Sequence, residues 1–257
     1  MPSSDPATDG KIDSTMRVLP WLEKTAIVLC DPRDEGTREL IPVAPRTILR
    51  QQVERAREAG FQPMTASELE FYLLRDSYDA AHAKHFHDLQ PFGWYNEDYH
   101  LLQATKAEPL YRQFRNQMCA ADVPVEFSKG EAAPGQHEVN IHYDTALESA
   151  DRHALFKHGL KEIAWQNGHA VTFMAKPDHA WTGNSAHVHV SLWDRQGRNA
   201  LAQDEAWKHG YVLLVANTEG NEPAERAYFD DAVVPLLDDD VEVFENVSHE
   251  EKVDLLG

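Results

Sequence analysis

Polar and charged side chains alternate along two segments of this chain that otherwise have the composition of β-strands. The first segment, SELEFYLL, carries Glu68 and Glu70, and the second, HVHVS, carries His187, His189 and Ser191. Successive side chains of a strand point to opposite faces, so each set shares one face, with the Cβ atoms of the two glutamates roughly 7 Å apart. Burying isolated charges costs several kcal/mol each, so this sheet face must be solvated or must hold cations.

Neither segment by itself establishes that the face holds cations. Glu68 and Glu70 also suit a solvated edge strand, and the HxH pattern of His187 and His189 also occurs as an ordinary pair of core histidines. One histidine of such a pair can bind a metal ion through a ring nitrogen while the other donates to a phosphate oxygen.

The remaining pattern predicts strands with long helices between them. Pro45 favours a helix start, apolar residues recur among charges to residue 59, and Gly60 ends the helix. The other predicted helices cover 108–121 and 148–168, and the predicted strands cover 25–31, 67–74, 123–127, 138–143, 170–174 and 187–193. We therefore expect an α+β fold over residues 1–205, with an antiparallel carboxylate-lined sheet backed by helices 45–59 and 148–167.

The last part of the chain has a different character. Residues 211–257 follow a βαβα order that is typical of parallel-sheet nucleotide-binding domains, which places a domain boundary near residues 203–210. This stretch also resembles part of the nucleotide-sugar domain of family 4 GT-B glycosyltransferases. An acidic helix-strand-helix appendage is the alternative.

A third set of carboxylates surrounds a tight connection. Glu126, Glu131 and Glu138 occur in VEFSKGEAAPGQHE, where Pro134 and Gly135 favour a turn between two extended segments. Carboxylates that flank a turn can converge on one ion, and an all-oxygen set suits Mg²⁺ or Mn²⁺ better than zinc. An acidic surface loop is the alternative.

Charge and cysteine usage exclude several classes of protein. The net charge of -19 argues against a surface that tracks nucleic-acid phosphates. With only Cys30 and Cys119, the chain has neither a disulfide framework nor a thiolate zinc motif. No apolar run of about 18 residues and no signal-type N-terminus are present, so we expect a cytoplasmic protein without a membrane partner.

Taken together, the motifs resemble the catalytic domain of the glutamine synthetase family, from about residue 6 to residue 193. The subgroup resembled most includes γ-glutamylpolyamine and γ-glutamylmethylamide synthetases. The motifs that carry the likeness are SELEFYLL, EDYH at 97–100, SKGEAAPGQHE, ADRHALFKHGLKEIA, AVTFMAK and KPDHAWTGNSAHVHVSLW.

The resemblance implies a role for each matching residue. Glu70, Glu131 and Glu138 would hold one divalent cation, Mg²⁺ or Mn²⁺, and Glu68 and His187 a second, with Glu131, Glu138 and His187 at the catalytic centre. It also implies ATP at Glu126, Tyr143, His189 and Ser191, and glutamate at Thr182 and Gly183.

The activity implied is ATP-dependent ligation of ammonia or an amine to the γ-carboxylate of glutamate through a γ-glutamyl phosphate, in a homo-oligomer. In the family, a further glutamate ligand and several arginines follow the histidine strand, and this sequence matches none of them. We therefore expect an incomplete second cation position. A non-catalytic metal- or nucleotide-binding remnant and a glycosyltransferase fragment are the alternatives, and the acceptor amine is not fixed by the sequence.

Overall fold

The computed structural model describes residues 15–200. Within them lie the helices α1 (Pro45–Glu58), α2 (Tyr78–Ala83), α3 (Leu101–Ala120) and α4 (Ala146–Gln166). The strands are β1 (Arg17–Val18), β2 (Ala26–Ile27), β3 (Phe61–Leu74), β4 (Val125–Gly130), β5 (Gln136–Ile141), β6 (Asp144–Thr145), β7 (Ala170–Thr172) and β8 (Ala186–Asp194). No helix in this part of the chain is long and apolar enough to cross a membrane.

The 14-residue strand β3 is the centre of a six-stranded sheet. It pairs antiparallel with β5, β6, β7 and β8, and β4 adds to the far side of β5. Glu68 lies opposite Asn140 of β5 and also opposite His187 of β8, so these two strands flank β3 on opposite sides. Because paired residues point to the same face, this register gathers side chains from three strands on one surface.

The opposite face of β3 forms the core of the domain. Leu69, Phe71 and Leu73 are buried there, in one apolar cluster with residues of α3 and α4 such as Phe114 and Leu160. Burial of a Leu or Phe side chain contributes about 1.5–3 kcal/mol, so this face fixes the orientation of the strand. A shift of one residue would exchange the core face for the charged face.

The helices α1 and α4 begin and end within two residues of their predicted bounds. Pro45 occupies the first turn of α1, and Gly60, with a φ of 93°, follows the helix. The helix α3 starts seven residues earlier than residue 108 and continues through Pro109. Proline removes one backbone hydrogen bond, but Ala107 and Leu110 are buried on either side of it, and their packing keeps the helix continuous.

The prediction of a buried strand over residues 25–31 is wrong. The strand β2 contains two residues, pairs with β1 in a separate two-stranded sheet, and its Ala26 is exposed. An apolar run alone does not reveal which partner strand is available to cover it. The short elements β1, β6 and α2 were not predicted, and the prediction for residues 211–257 lies outside the described residues.

Candidate active site

Three carboxylates converge on the polar face of the sheet. The register of β3 and β5 places Glu70 directly opposite Glu138, and the connection after β4 supplies Glu131. One carboxylate oxygen of each lies within 4.8 Å of the others, and among residues 15–200 this is the one group of three potential ligands so close together. The structure therefore brings together the three glutamates for which the sequence predicts a shared cation.

The connection between β4 and β5 is held by a buried glutamate. The Oε1 atom of Glu97 accepts a hydrogen bond of 2.8 Å from the backbone N–H of Gly135, whose φ is 76°. The backbone N–H of Glu97 donates to the carbonyl of Glu131 at 3.1 Å. A Cβ atom at Gly130 would lie 2.6 Å from the Glu97 carbonyl oxygen, so glycine is required for this close approach. These contacts fix the backbone that carries Glu131.

The electrostatics of the group favour a cation. Burial raises the pKa of Glu138 to about 7, and the nearby charges of Glu68 and Glu131 act in the same direction. Asn140 donates a hydrogen bond to Glu138 at 3.1 Å, which offsets part of the effect. Three carboxylates in this space repel one another, and a divalent cation with oxygen ligands would relieve the repulsion. The donor set therefore fits Mg²⁺ or Mn²⁺.

Gln136 joins this group to the loop that precedes β8. Its buried Nε2 atom lies 3.1 Å from Glu70 Oε2, 2.8 Å from the Gly183 carbonyl and 2.9 Å from Asn184 Oδ1. The Glu70 carboxylate also accepts a hydrogen bond of 2.9 Å from the backbone N–H of Ser185. The position of Glu70 is therefore set by the same contacts that hold the loop.

The second predicted cation position consists of a carboxylate between two histidines. Glu68 accepts hydrogen bonds from His187 Nδ1 at 2.9 Å and His189 Nε2 at 3.0 Å. Burial raises the pKa of Glu68, but the bonds from His189 and His187 outweigh it and hold the pKa below its usual range. Both histidines are exposed. Glu68 and His187 are therefore adjacent, but within residues 15–200 they do not belong to a compact group of three potential ligands.

The residues predicted to hold ATP line a single cavity. Glu126, Tyr143, His189 and Ser191 border a space of about 360 Å³ on the polar face, together with Glu68. This volume lies at the lower end of the range for small-molecule sites. The cavity adjoins the second cation position through Glu68 and His189, so an anionic ligand there would lie beside it.

The residues predicted to hold glutamate lie in the loop between β7 and β8. The carbonyl of Thr182 accepts a hydrogen bond of 2.8 Å from Tyr72 OH, and the carbonyl of Gly183 accepts one from Gln136. The Tyr72 ring packs against Trp181, with 4.8 Å between centroids. Both backbone positions are thus tied to strands β3 and β5, beside the three carboxylates.

Several residues at this site were missed by the sequence prediction. They are Glu97, Lys129, Gln136 and Asn140. Gln136 and Asn140 lie two residues before and two residues after Glu138 on β5, so strand alternation puts all three on one face and could have identified them. Glu97 gave no such signal, because its contacts depend on how a distant loop folds.

Known proteins similar to this chain include ligases that act on glutamate. A profile of the glutamine synthetase catalytic domain matches residues 42–211. Gamma-glutamylethanolamide synthetase GlnA4 of Streptomyces coelicolor is 45% identical over 190 residues, 74% of this chain and 41% of that protein. A glutamate–isopropylamine ligase of a Pseudomonas species is 39% identical over 192 residues, 75% of this chain and 42% of that protein.

The fold is also similar to that of solved structures. GmaS without ligand superposes with a TM-score of 0.66 at 28% identity, covering 74% of this chain and 44% of that chain, and a GmaS/ADP complex matches with the same score and identity, covering 74% and 43%. The chain belongs to the glutamine synthetase catalytic-domain family, and its predicted α+β fold is confirmed. It spans about two-fifths of the length of the curated relatives it matches.

Proposed function

We propose that this chain carries part of the active site of a ligase that joins ammonia or an amine to the γ-carboxylate of glutamate, with ATP as the second substrate. The observation that carries the proposal is the group Glu70, Glu131 and Glu138, whose carboxylate oxygens lie within 4.8 Å of one another on three different segments. The relatives that match include ligases of glutamate with ethanolamine-type and isopropylamine acceptors.

In this reaction a γ-carboxylate oxygen of glutamate attacks the terminal phosphorus of ATP, which forms γ-glutamyl phosphate and releases ADP. An amine nitrogen then attacks the acyl carbon, phosphate leaves, and the nitrogen loses a proton. Divalent cations bound at this site would neutralise the negative charges of the phosphates and the carboxylate, whose repulsion is the main obstacle to bringing them together.

The residues of this chain would position the two substrates. The backbone at Thr182 and Gly183, held by Tyr72 and Gln136, would orient glutamate next to the three carboxylates. The cavity bordered by Glu126, Tyr143, His189 and Ser191 would receive ATP, with the phosphates toward Glu68. Glu131, Glu138 and His187 would act at the reacting centre as ligands of the cations, Mg²⁺ or Mn²⁺.

Binding measurements test the site first. Isothermal titration of the full chain with Mn²⁺, with and without a non-hydrolysable ATP analogue, should show binding that Glu131→Gln weakens by about 100-fold or more. His187→Ala should weaken the binding of Mn²⁺ that depends on the analogue. The control Glu54→Gln changes an exposed carboxylate on α1 and should leave both unchanged. Mn²⁺ binding that Glu131→Gln leaves unchanged would contradict the proposal.

A coupled assay of ADP release tests the activity. Glutamate would be supplied with ammonia, methylamine, ethanolamine, isopropylamine or putrescine, so that the assay also identifies the acceptor. ADP release that depends on both glutamate and an amine is the expected result. Mn²⁺ and nucleotide binding without release would instead support the second candidate, a non-catalytic binding protein, which the partial ligand set of Glu68 and His187 favours.

A further inference from the structure

Lys129 places a positive charge beside the three carboxylates. It lies on β4 opposite Glu138 of β5, so its side chain belongs to the same face of the sheet. The ammonium is 2.7 Å from Glu131 Oε1. It is also 3.6 Å from Asp98 Oδ1 and 5.5 Å from the centre of the Tyr99 ring. Lys129 is thus in contact with one member of the group and within reach of a second carboxylate outside it.

The ammonium and a divalent cation cannot both bind the same oxygen without strong repulsion. Mg²⁺ binds carboxylate oxygens at about 2.0–2.1 Å. Given the 2.7 Å contact between Lys129 and Glu131 Oε1, a cation on that oxygen would lie within about 5 Å of the ammonium. Like charges at this separation repel, and the half-buried setting of Glu131 screens them less than water would.

Asp98 offers the ammonium an alternative partner. Its Oδ1 atom is buried and accepts no hydrogen bond from the described residues, while the Lys129 ammonium is 3.6 Å away. A small rotation of the flexible lysine side chain would close this gap and open the Glu131 contact. The lysine is about one-third exposed, so its end has room to move.

We propose that Lys129 is a built-in counter-ion of the cation position, which pairs with Glu131 in the cation-free protein and turns to Asp98 when a divalent cation binds. Its charge holds the three carboxylates together without a cation, and the same charge lowers the affinity for the cation. Lys129 thereby sets the cation concentration at which the site fills. This role rests on the proposed function only in that Glu70, Glu131 and Glu138 bind the cation.

Mn²⁺ affinity of the full chain, measured by the loss of the free Mn²⁺ electron paramagnetic resonance signal, tests the proposal. Lys129→Met should bind Mn²⁺ about tenfold more tightly, because the repulsion is removed. Asp98→Asn should bind it several-fold more weakly, because the ammonium keeps its place on Glu131. The double variant should resemble Lys129→Met, since Asp98 acts through the lysine.

Control variants distinguish the counter-ion role of Lys129 from cation binding by the three carboxylates. Lys129→Arg keeps the charge and should stay close to the wild-type affinity. Lys24→Met removes an exposed lysine whose ion pair is with its neighbour Glu23, and it should leave the affinity unchanged. Unchanged or weaker Mn²⁺ binding by Lys129→Met overturns the counter-ion role. If the wild-type chain binds no Mn²⁺ at all, the proposed function fails instead.

The Mn²⁺ dependence of thermal unfolding gives a second readout, which a purely structural lysine would not change. Without Mn²⁺, Lys129→Met should unfold at a lower temperature than the wild type, because three carboxylates lose their counter-ion. Saturating Mn²⁺ should abolish or reverse this difference. An equal difference with and without Mn²⁺ would assign the lysine a packing role and overturn the proposal.

Discussion

At the scale of single residues, Gln136 links the carboxylate group to the loop around Gly183. Its amide lies within hydrogen-bonding distance of Glu70, Gly183 and Asn184, and the side chain is almost fully buried. A carboxylate binds a cation tightly only when its orientation is fixed, so residues that orient the ligands strongly affect the affinity for the cation. One amide therefore couples the predicted cation position to the predicted glutamate position.

We expect Gln136→Leu to reduce the free energy of unfolding by about 2 kcal/mol, because a partly buried bond to a carboxylate and another to the Gly183 carbonyl are lost together. Mn²⁺ affinity should fall by about 10- to 100-fold. Urea denaturation and Mn²⁺ titration check both values. The control Gln51→Leu alters an exposed glutamine on α1. If Gln136→Leu binds Mn²⁺ as the wild type does, Gln136 does not orient Glu70.

Replacing Glu97 by glutamine and by alanine should change the free energy of unfolding by different amounts. Burial raises its pKa, although the hydrogen bond from Gly135 and the charge of Lys106 oppose this. Glu97→Gln keeps a carbonyl oxygen for Gly135 and should change the free energy of unfolding by less than about 0.5 kcal/mol. Glu97→Ala leaves the Gly135 N–H without its partner, which should cost about 2 kcal/mol and weaken Mn²⁺ binding through Glu131. Equal losses in the two variants, measured by urea denaturation, would contradict this.

The sequence predicts the candidate ligands more readily than the residues that hold them in place. Alternation along a strand is a local property, so it placed Glu68 with Glu70, and His187 with His189, on shared faces. It could not show that Lys129 lies opposite Glu138, because that placement requires the register of β4 on β5. Long-range pairing is set by the packing of the whole sheet and is not encoded in a short motif.

At the scale of elements, the long helices and the site strands were predictable, while the short elements were not. The helix α1 follows from Pro45 and from Gly60 after it, which are local signals. The strand β3 extends from Phe61, six residues before the predicted start, because β8 pairs along that part of it. Two-residue strands such as β1 depend wholly on a partner and have no periodicity of their own.

An ion-pair network connects the loop after β2 to two of these helices. Arg46 of α1 donates two hydrogen bonds to Asp151 of α4, each 2.9 Å long, and contacts both oxygens of Asp31 at 2.7 and 2.8 Å. Arg50 also donates to Asp31, at 2.6 Å. All of these side chains are at least partly buried, so the network should hold α1 and α4 at a fixed distance.

We expect Arg46→Ala to lower the free energy of unfolding by about 2–4 kcal/mol at pH 7, because Asp151 and Asp31 lose a partner in a partly buried setting. The control Arg57→Ala breaks an exposed pair with Glu54 and should cost less than about 0.5 kcal/mol. Urea denaturation of both variants checks the difference. Equal effects would show that the Arg46 network is no stronger than a surface ion pair.

The effect of Arg46→Ala should also depend on pH. Burial raises the pKa of Asp31, but hydrogen bonds from Arg46 and the charges of Arg46 and Arg50 outweigh it and leave the pKa below the usual 3.8. A carboxylate with a lowered pKa stabilises the folded chain above the pKa of the unfolded state, and this contribution is lost as the pH falls through the folded value. The gap between wild type and variant should therefore shrink below pH 3.8. A gap that stays constant into acid would exclude Asp31 as the partner that matters.

At the scale of the whole molecule, the resemblance to the family depends on the order of the motifs along the chain as well as on their residues. The acidic pair, the GEAAPGQHE loop and the histidine strand are far apart in the chain, and β3, β5 and β8 bring them to one face. The profile match ends at residue 211, where the sequence pattern changes. The βαβα prediction for residues 211–257 lies outside the described residues and stays a prediction.

The two predicted cation positions differ in how many candidate ligands residues 15–200 supply, and this difference predicts a stoichiometry. Glu70, Glu131 and Glu138 form a compact set, whereas Glu68 and His187 form a pair beside the cavity. Mg²⁺-type sites with one or two protein ligands usually take the remaining oxygens from water and substrate phosphate. The chain should therefore bind one Mn²⁺ tightly by itself and a second only with an ATP analogue.

Titration of the full chain with Mn²⁺, read by calorimetry or by electron paramagnetic resonance, counts these ions. Glu70→Gln should remove the ion that binds without nucleotide, and Glu68→Gln should remove only the ion that needs the analogue. Two equally tight ions without nucleotide would mean that residues outside 15–200 complete the second position. An analogue that adds no ion would mean that the cavity at Glu68 does not hold phosphates, and the assignment of ATP to it would then be wrong.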